Sequence, residues 1–403
     1  MRLIHIAIVL ATALHVSCKS IPPVTRPVHS RVDSTLQDRF QAAITVHSGN
    51  LALVRETRRI HLKSGRQILR FIGVSDAVIP ESVRVRAIGT DAQVVFEEQN
   101  FDADLLTPRR IAEAGIGDRA RAYVVNQVTG DEKEIEGVLL SGQDGVLIQT
   151  DSGVTALPKG ARIEMDDVPD TLVAQPVLSW ITTCRDAGTF EVEVTYLTRG
   201  ISWHADYVVD VDQKKHSARV QAWATIDNNT ALALEDAELQ LLAGDMNLLG
   251  NEVFEVMSRL IDDTEERMPS PSPPLPKEEA LFEYHLYTVQ RPLAIRARQK
   301  KQIALASAEG VPFKVSRFTR SSLTSKTLRS VPTVLRLEFE HVKGGPLGVP
   351  LPAGRVALWT EDARTGQRIQ VGRVSLSHTP VGEPLLIELH STQKKKVAIR
   401  ARP

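Results

Sequence analysis

The chain contains Phe190-Glu-Val-Glu-Val-Thr-Tyr196 and, after a turn at Arg199-Gly200, Ile201-Ser-Trp-His-Ala-Asp-Tyr-Val-Val-Asp-Val-Asp212. In both stretches nearly every second residue is apolar, a period that is typical of a strand with one buried face. The segment Ala218–Ile226 repeats the pattern. Strands that each bury one face favour sheets packed against each other in a sandwich.

The length and composition indicate ordinary globular material. The 403 residues are 42% hydrophobic, which is enough to bury sizeable cores, and the length favours roughly two or three domains. Lys plus Arg and Asp plus Glu both number 49, so the net charge predicts no nucleic-acid partner. We predict a mainly β fold, with antiparallel β-sandwich modules, a small SH3-like barrel between them and very little helix.

The N-terminus has the features of an export signal. The apolar run Leu3–Leu14 is shorter than the about 20 residues that a membrane-spanning helix needs, so residues 1–17 are predicted to be a signal peptide. Val16-Ser-Cys18 is similar to the site at which bacterial lipoproteins are cleaved and acylated. We therefore predict lipidation at Cys18 and a lipid-anchored linker over residues 18–40. The alternative is plain secretion without an anchor.

The remaining chain divides into three predicted modules. Residues 41–106 form an N-terminal β module, and residues 107–170 form a short helix followed by the SH3-like barrel. The helix is predicted from Thr107 as N-cap, Pro108 as first helical residue and Gly115 after its end. Residues 171–403 form the β-sandwich module, interrupted by a disordered Pro-rich loop at about 262–279.

Three sequence blocks resemble the bacterial envelope proteins of the domain-of-unknown-function 4139 family. They are Tyr196-Leu-Thr-Arg-Gly-Ile-Ser-Trp-His-Ala-Asp-Tyr207, Ala237-Glu-Leu-Gln-Leu-Leu-Ala-Gly-Asp245 and Glu283-Tyr-His-Leu-Tyr287. The resemblance implies a mostly antiparallel β protein exported to the envelope, and it brings no activity, cofactor or catalytic residue. Together with Lys19 after the cysteine, it favours the periplasmic side of the outer membrane.

The most prominent polar residues lie on the strand of Trp203. His204 and Asp206 project from one face, and Asp210 and Asp212 continue the row. Such a row could hold a metal ion or supply a general base, although a zinc site needs a further ligand. The alternative is the ordinary polar face of a half-buried strand, which we favour.

Other candidate binding residues occur later in the chain. Asp245 has the setting of a turn residue that could accept from a ligand, and His285 could bind a ligand or pack at a sheet corner. Arg291, Arg296 and Arg298 open a basic segment that could meet anionic lipid or lipopolysaccharide. The alternative is that these charges pair with acidic segments of the same chain.

No catalytic, metal-binding or cofactor-binding motif occurs in the sequence. The chain lacks Gly-x-Ser-x-Gly, His-Glu-x-x-His, Cys-x-x-Cys and a phosphate loop. We therefore predict no catalytic residue, no metal site and no cofactor. The predicted function is a non-catalytic envelope lipoprotein that binds a partner or takes part in assembly. Two alternatives stay open: an envelope hydrolase or metal-dependent enzyme that uses His204 and Asp206, and a surface adhesin or interaction protein.

Overall fold

The structure is a computed structural model that describes residues 30–89, 93–126, 128–142, 145–158, 161–167, 172–243, 277–281, 284–318, 329–345, 347–362 and 364–397. The fold is mainly β, as predicted. The first strands are β1 (Ser30–Ser34), β2 (Arg39–His47), β3 (Leu51–Leu62), β4 (Gly65–Ile72), β5 (Arg84–Ala87) and β6 (Val94–Asp102). Helix α1 (Pro108–Ala114) is followed by β7 (Arg119–Val125), β8 (Glu132–Ser141), β9 (Leu147–Thr150), β10 (Gly153–Ala156) and β11 (Arg162–Met165).

The later strands are β12 (Val177–Cys184), β13 (Gly188–Arg199), β14 (Ile201–Asp212), β15 (Ser217–Asn228), β16 (Leu234–Ala243), β17 (Lys277–Leu281), β18 (Tyr284–Thr288), β19 (Leu293–Ile295), β20 (Gln299–Phe318), β21 (Arg329–Phe339), β22 (Gly354–Glu361), β23 (Arg368–Leu376) and β24 (Leu385–Val397). Residues 262–276 of the predicted Pro-rich loop lie outside the described residues, and residues 277–279 begin β17.

The small barrel is built from one continuous piece of chain. Its sheet has the order β10-β9-β8-β7-β11, in which the last strand returns to pair with the first, as in an SH3-like barrel. Helix α1 precedes it, with the Thr107 hydroxyl accepting from the backbone N–H of Arg110 at 3.2 Å and with Gly115 after its end. The predicted helix limits are confirmed. No helix among the described residues is long and apolar enough to cross a bilayer.

The other sheets combine strands from both ends of the chain. An eight-stranded sheet has the order β17-β18-β16-β2-β3-β13-β5, with β19 beside β16, and a four-stranded sheet has the order β1-β4-β12-β6. Strands from residues 41–106 therefore pair with strands from residues 171–403. The pairs β1–β4, β2–β16 and β14–β22 are parallel and the remaining pairs antiparallel.

A seven-stranded sheet completes the fold. Its order is β23-β22-β14-β15-β20-β21-β24. The two edge strands approach each other where a Cβ built on Gly372 of β23 would lie 2.4 Å from Cδ2 of Leu389 of β24. The Leu389 side chain therefore packs close to the Gly372 backbone, so the two edges of this sheet lie near each other.

Gly200 is the only residue between β13 in the eight-stranded sheet and β14 in the seven-stranded sheet. Its φ of +82° belongs to the left-handed region that favours glycine, and an added Cβ would lie 2.8 Å from Cγ2 of Thr230. The Asn50 side chain accepts from its N–H at 3.0 Å, and its carbonyl accepts from Asn229 at 2.8 Å. This corner brings the two large sheets face to face.

The predicted alternation is confirmed on β14, where buried and half-buried residues alternate along the whole strand. Trp203 is 2% exposed, its indole N–H donates to the Leu242 carbonyl at 3.0 Å, and its ring meets Tyr287 edge to face at 6.0 Å. Tyr207 is also buried and donates to the Pro352 carbonyl at 2.6 Å, and its burial raises the pKa of the phenol. The apolar face of β14 thus forms part of the contact between the sheets.

A charged cluster is buried beside this apolar core. Arg58 is fully buried, and its guanidinium donates to the carbonyls of Ser34 and Ile72 at 3.0 and 2.9 Å and to the Glu56 carboxylate at 3.1 Å. It also lies 3.5 Å from the ring centroid of Phe71. Burial lowers the pKa of Arg58, and the attraction of Glu56 opposes that effect. The cluster therefore ties β1 and β4 to β3.

We expect Trp203→Ala to destabilise the protein by about 3 to 5 kcal/mol, because it removes a buried aromatic ring and leaves a cavity. Trp223→Ala is the matched control, since Trp223 lies half-buried on the neighbouring strand β15. Urea unfolding should show a clearly larger drop in the free energy of unfolding for Trp203→Ala. Equal losses for the two variants would contradict this assignment of the core face.

We expect Arg58→Met and Glu56→Gln each to cost about 3 to 5 kcal/mol, because each removes the nearest ionic partner of a buried charge. After Arg58→Met, Glu56 would keep only its longer contact of 3.5 Å with Arg39. The double variant should cost less than the sum of the single variants, since it removes both charges together. A double-mutant cycle from urea unfolding measures this coupling. Strictly additive losses would show that the two groups do not stabilise each other.

Candidate functional site

The polar row predicted on β14 lies on the outer face of the seven-stranded sheet. Its inward neighbours Trp203, Ala205 and Tyr207 are buried in the core, so His204 and Asp206 project outwards. Their side chains are 38% and 26% exposed. The alternation of β14 therefore places both residues at a surface that other strands of the sheet can reach.

Arg355 of β22 is the main partner of this row. Its Nε and Nη2 donate to Oδ1 of Asp206 at 3.2 and 3.0 Å, and Asp206 and Arg355 lie opposite each other in the parallel pair β14–β22. The preceding Gly354 allows this close pairing, because a Cβ there would lie 2.3 Å from the Ala205 carbonyl oxygen. Two N–H groups of Arg355 thus converge on one carboxylate oxygen of Asp206 in a charge-assisted contact.

The other oxygen of Asp206 is also engaged. Thr225 donates its hydroxyl to Oδ2 of Asp206 at 2.6 Å, and Gln302 donates its amide to the Thr225 oxygen at 3.1 Å. These residues lie on four neighbouring strands, in the order β20 (Gln302), β15 (Thr225), β14 (Asp206) and β22 (Arg355). A continuous chain of side-chain hydrogen bonds therefore crosses four strands on the outer face of the sheet.

His204 is tied to the same network through its Nε2 atom. This atom lies 2.6 Å from Nη2 of Arg355 and 3.1 Å from Oδ2 of Asp206. It accepts from Arg355 only when it carries no proton, and it donates to Asp206 only when it carries one. The arginine contact is the shorter of the two, which favours the tautomer with an unprotonated Nε2.

The rest of the row has separate structural partners. Asp210 forms an ion pair with Arg368, whose guanidinium lies 5.5 Å from the ring centroid of Trp359. Asp212 accepts from the backbone N–H groups of Lys214 and Lys215 at 3.0 and 3.1 Å in the turn after β14. The bond from Lys215 is the main reason why the pKa of Asp212 lies below its usual value. Asp210 and Asp212 therefore do not join Asp206 in a common site.

The other predicted binding residues lie elsewhere or are not described. His285 belongs to β18 in the eight-stranded sheet, and its ring stacks on His378 with the centroids 3.8 Å apart. Asp245 and Cys18 lie outside the described residues. Within the described ranges, no three His, Cys, Asp or Glu side chains come together as a metal site requires. The structure thus does not bring His285 and the His204 row into one described ligand set.

The basic residues and the remaining cysteine have identifiable environments. Arg298 forms an ion pair with Asp76 at 2.8 Å and also donates to the Asn229 carbonyl. Its positive charge is therefore paired with a carboxylate of the same chain. Arg291 and Arg296 are exposed. Cys184 is buried and contacts the Asp186 carbonyl, and its burial raises the pKa of the thiol. These contacts suit a structural thiol rather than a nucleophile.

Arg355, Thr225 and Gln302 were not identified from the sequence. Each lies on a strand with ordinary alternation, but their partnership with Asp206 depends on strands that are far apart in the chain. The only local signal was a charged residue at the start of an apolar strand in Gly354–Thr360. The pairing of that strand with the distant β14, in addition to its sequence neighbour β23, is not readable from the period of its residues.

No protein-family model matches the chain, and no curated protein shows significant similarity to it.

We expect Asp206→Ala to cost about 1 kcal/mol, because it removes the shared acceptor of Arg355 and Thr225 at a partly exposed position. His204→Ala should cost no more than about 0.5 kcal/mol, since Arg355 keeps its carboxylate partner. Thermal and urea unfolding of the two variants measure the difference. A larger loss for His204→Ala would show that the imidazole, and not the carboxylate, holds the network together.

Proposed function

We propose that the protein is a non-catalytic component of the bacterial cell envelope that acts by binding a partner or by assembly with another envelope protein. One observation carries the proposal: the strongest candidate reactive groups are engaged by one another. Both oxygens of Asp206 accept hydrogen bonds, and Arg355 occupies Nε2 of His204. A general base needs a lone pair directed at its substrate. The lone pairs of Asp206 and His204 instead accept hydrogen bonds that link neighbouring strands of the sheet.

The proposed location rests on the sequence. A short apolar run followed by Val16-Ser-Cys18 supports export and acylation, and Lys19 supports sorting to the outer membrane, where we propose the periplasmic side. In this proposal, an acyl anchor at Cys18 holds the β sheets at the membrane surface. Arg291 and Arg296, which are exposed, add to the attraction for anionic lipid or lipopolysaccharide.

We expect a fatty-acid analogue to label the protein in a Gram-negative host and to leave Cys18→Ser unlabelled. The variant should move from the membrane fraction to the soluble envelope fraction, because acyl chains supply stable membrane attachment. Its melting temperature, measured in parallel, checks that the variant is folded. Equal labelling of both proteins would refute the lipid anchor.

The same preparations separate the proposed role from its alternatives. One transition metal per chain, lost in His204→Ala, would support a metal-dependent enzyme or hydrolase instead. Cleavage of the anchored protein by protease added to intact cells would support a surface adhesin, whereas protection until the outer membrane is opened supports the periplasmic side. Elemental analysis and protease accessibility measure these outcomes directly.

A further inference from the structure

The outer face of β22 and β23 contains a hollow beside the Asp206 network. It has a volume of about 560 Å³ and is lined by side chains including Val208, Ala357, Arg355, Arg373 and Ser375. Arg355 lies opposite Ser375, and Ala357 lies opposite Arg373 in the antiparallel pair. The two arginines are thus diagonal neighbours, a separation of about 7 to 8 Å that lets both guanidinium groups reach one small ion.

Arg355 enters this hollow with part of its guanidinium uncommitted. Its contacts to Asp206 and His204 use Nε and Nη2, and Nη1 donates to no residue of the described chain. The ion pair with Asp206 also fixes the orientation of the guanidinium plane. Asp206 and His204 therefore hold a donor group in place at the rim of the hollow before any ligand arrives.

Arg373 differs from three other arginines of this sheet that form ion pairs. Arg368 pairs with Asp210, Arg336 with Glu388 and Arg219 with Glu309. Arg373 is exposed, and within the described ranges no carboxylate forms an ion pair with it. Since Asp206 is balanced by Arg355, the side chains lining the hollow carry a net positive charge supplied by Arg373.

We propose that this hollow binds a tetrahedral phosphate dianion, which is either the terminal phosphate of a lipid headgroup or free inorganic phosphate. Arg355 Nη1, the Arg373 guanidinium and the Ser375 hydroxyl supply N–H and O–H donors around one point. Guanidinium forks match the oxygen spacing of phosphate. The inference rests on the proposed binding role and names the ligand class of that role.

The test uses the full mature chain with Cys18→Ser, so that no acyl anchor carries it to vesicles. Calorimetric titration with inorganic phosphate should show saturable binding at one site. Arg373→Gln should weaken binding at least about tenfold, equivalent to about 1.4 kcal/mol. Arg368→Gln, the matched control on the same strand, should bind as the wild type does, because Arg368 is already paired with Asp210. Both positions are exposed, so both variants should keep the wild-type melting temperature.

Sedimentation with phosphatidylcholine vesicles, with and without phosphatidic acid, distinguishes the sources of phosphate. Binding only to vesicles that contain phosphatidic acid, and its loss in Arg373→Gln, would assign the site to a lipid headgroup. Phosphate binding without vesicle binding would assign it to a soluble phosphate. Absence of saturable phosphate and vesicle binding, or equal binding by wild type and Arg373→Gln, would overturn the inference. These measurements use purified protein, so they stay separate from the labelling test of the anchor.

Discussion

The corner at Gly200 is the constraint on which the arrangement of the two large sheets depends. Its backbone conformation suits a residue without Cβ, and one residue is too short to let β14 return to the sheet of β13. The chain must therefore pass directly from one sheet to the other. As a result Trp203 and Tyr207 face the eight-stranded sheet, while His204 and Asp206 face outwards. The position of the outer network follows from this single turn.

The outer network and the buried Arg58 cluster show two ways of using charge in a β protein. Arg58 is surrounded by carbonyls, a carboxylate and an aromatic ring, and burial makes its pairing obligatory. Arg355 pairs with Asp206 at a surface where water screens the interaction. The outer pair therefore contributes less to stability than the inner pair, but it retains donors that solvent and ligands can reach. This difference makes the outer face the better candidate for binding.

Much of the fold could be predicted from the sequence because local patterns determine it. The period of two along Ile201–Asp212 predicted which residues of β14 are buried. Thr107, Pro108 and Gly115 predicted both ends of the helix. The small barrel was also predictable, since its strands pair with near neighbours. The parallel pair β14–β22 was not, because no local signal links residue 206 to residue 355. For the same reason His204 and Asp206 were found, but Arg355, which gives them their geometry, was missed.

The pairing of β3 with β13 has a consequence for the order in which the chain can fold. Leu62 pairs with Gly188 and Leu51 with Arg199, so β3 has no antiparallel partner on that side until nearly half of the polypeptide has been synthesised. The small barrel between them needs only residues 119–165 and can close first. Long-range strand pairing is slow because loop closure precedes the gain from contacts. Strand β3 therefore waits for β13, while the segment of the small barrel can already fold.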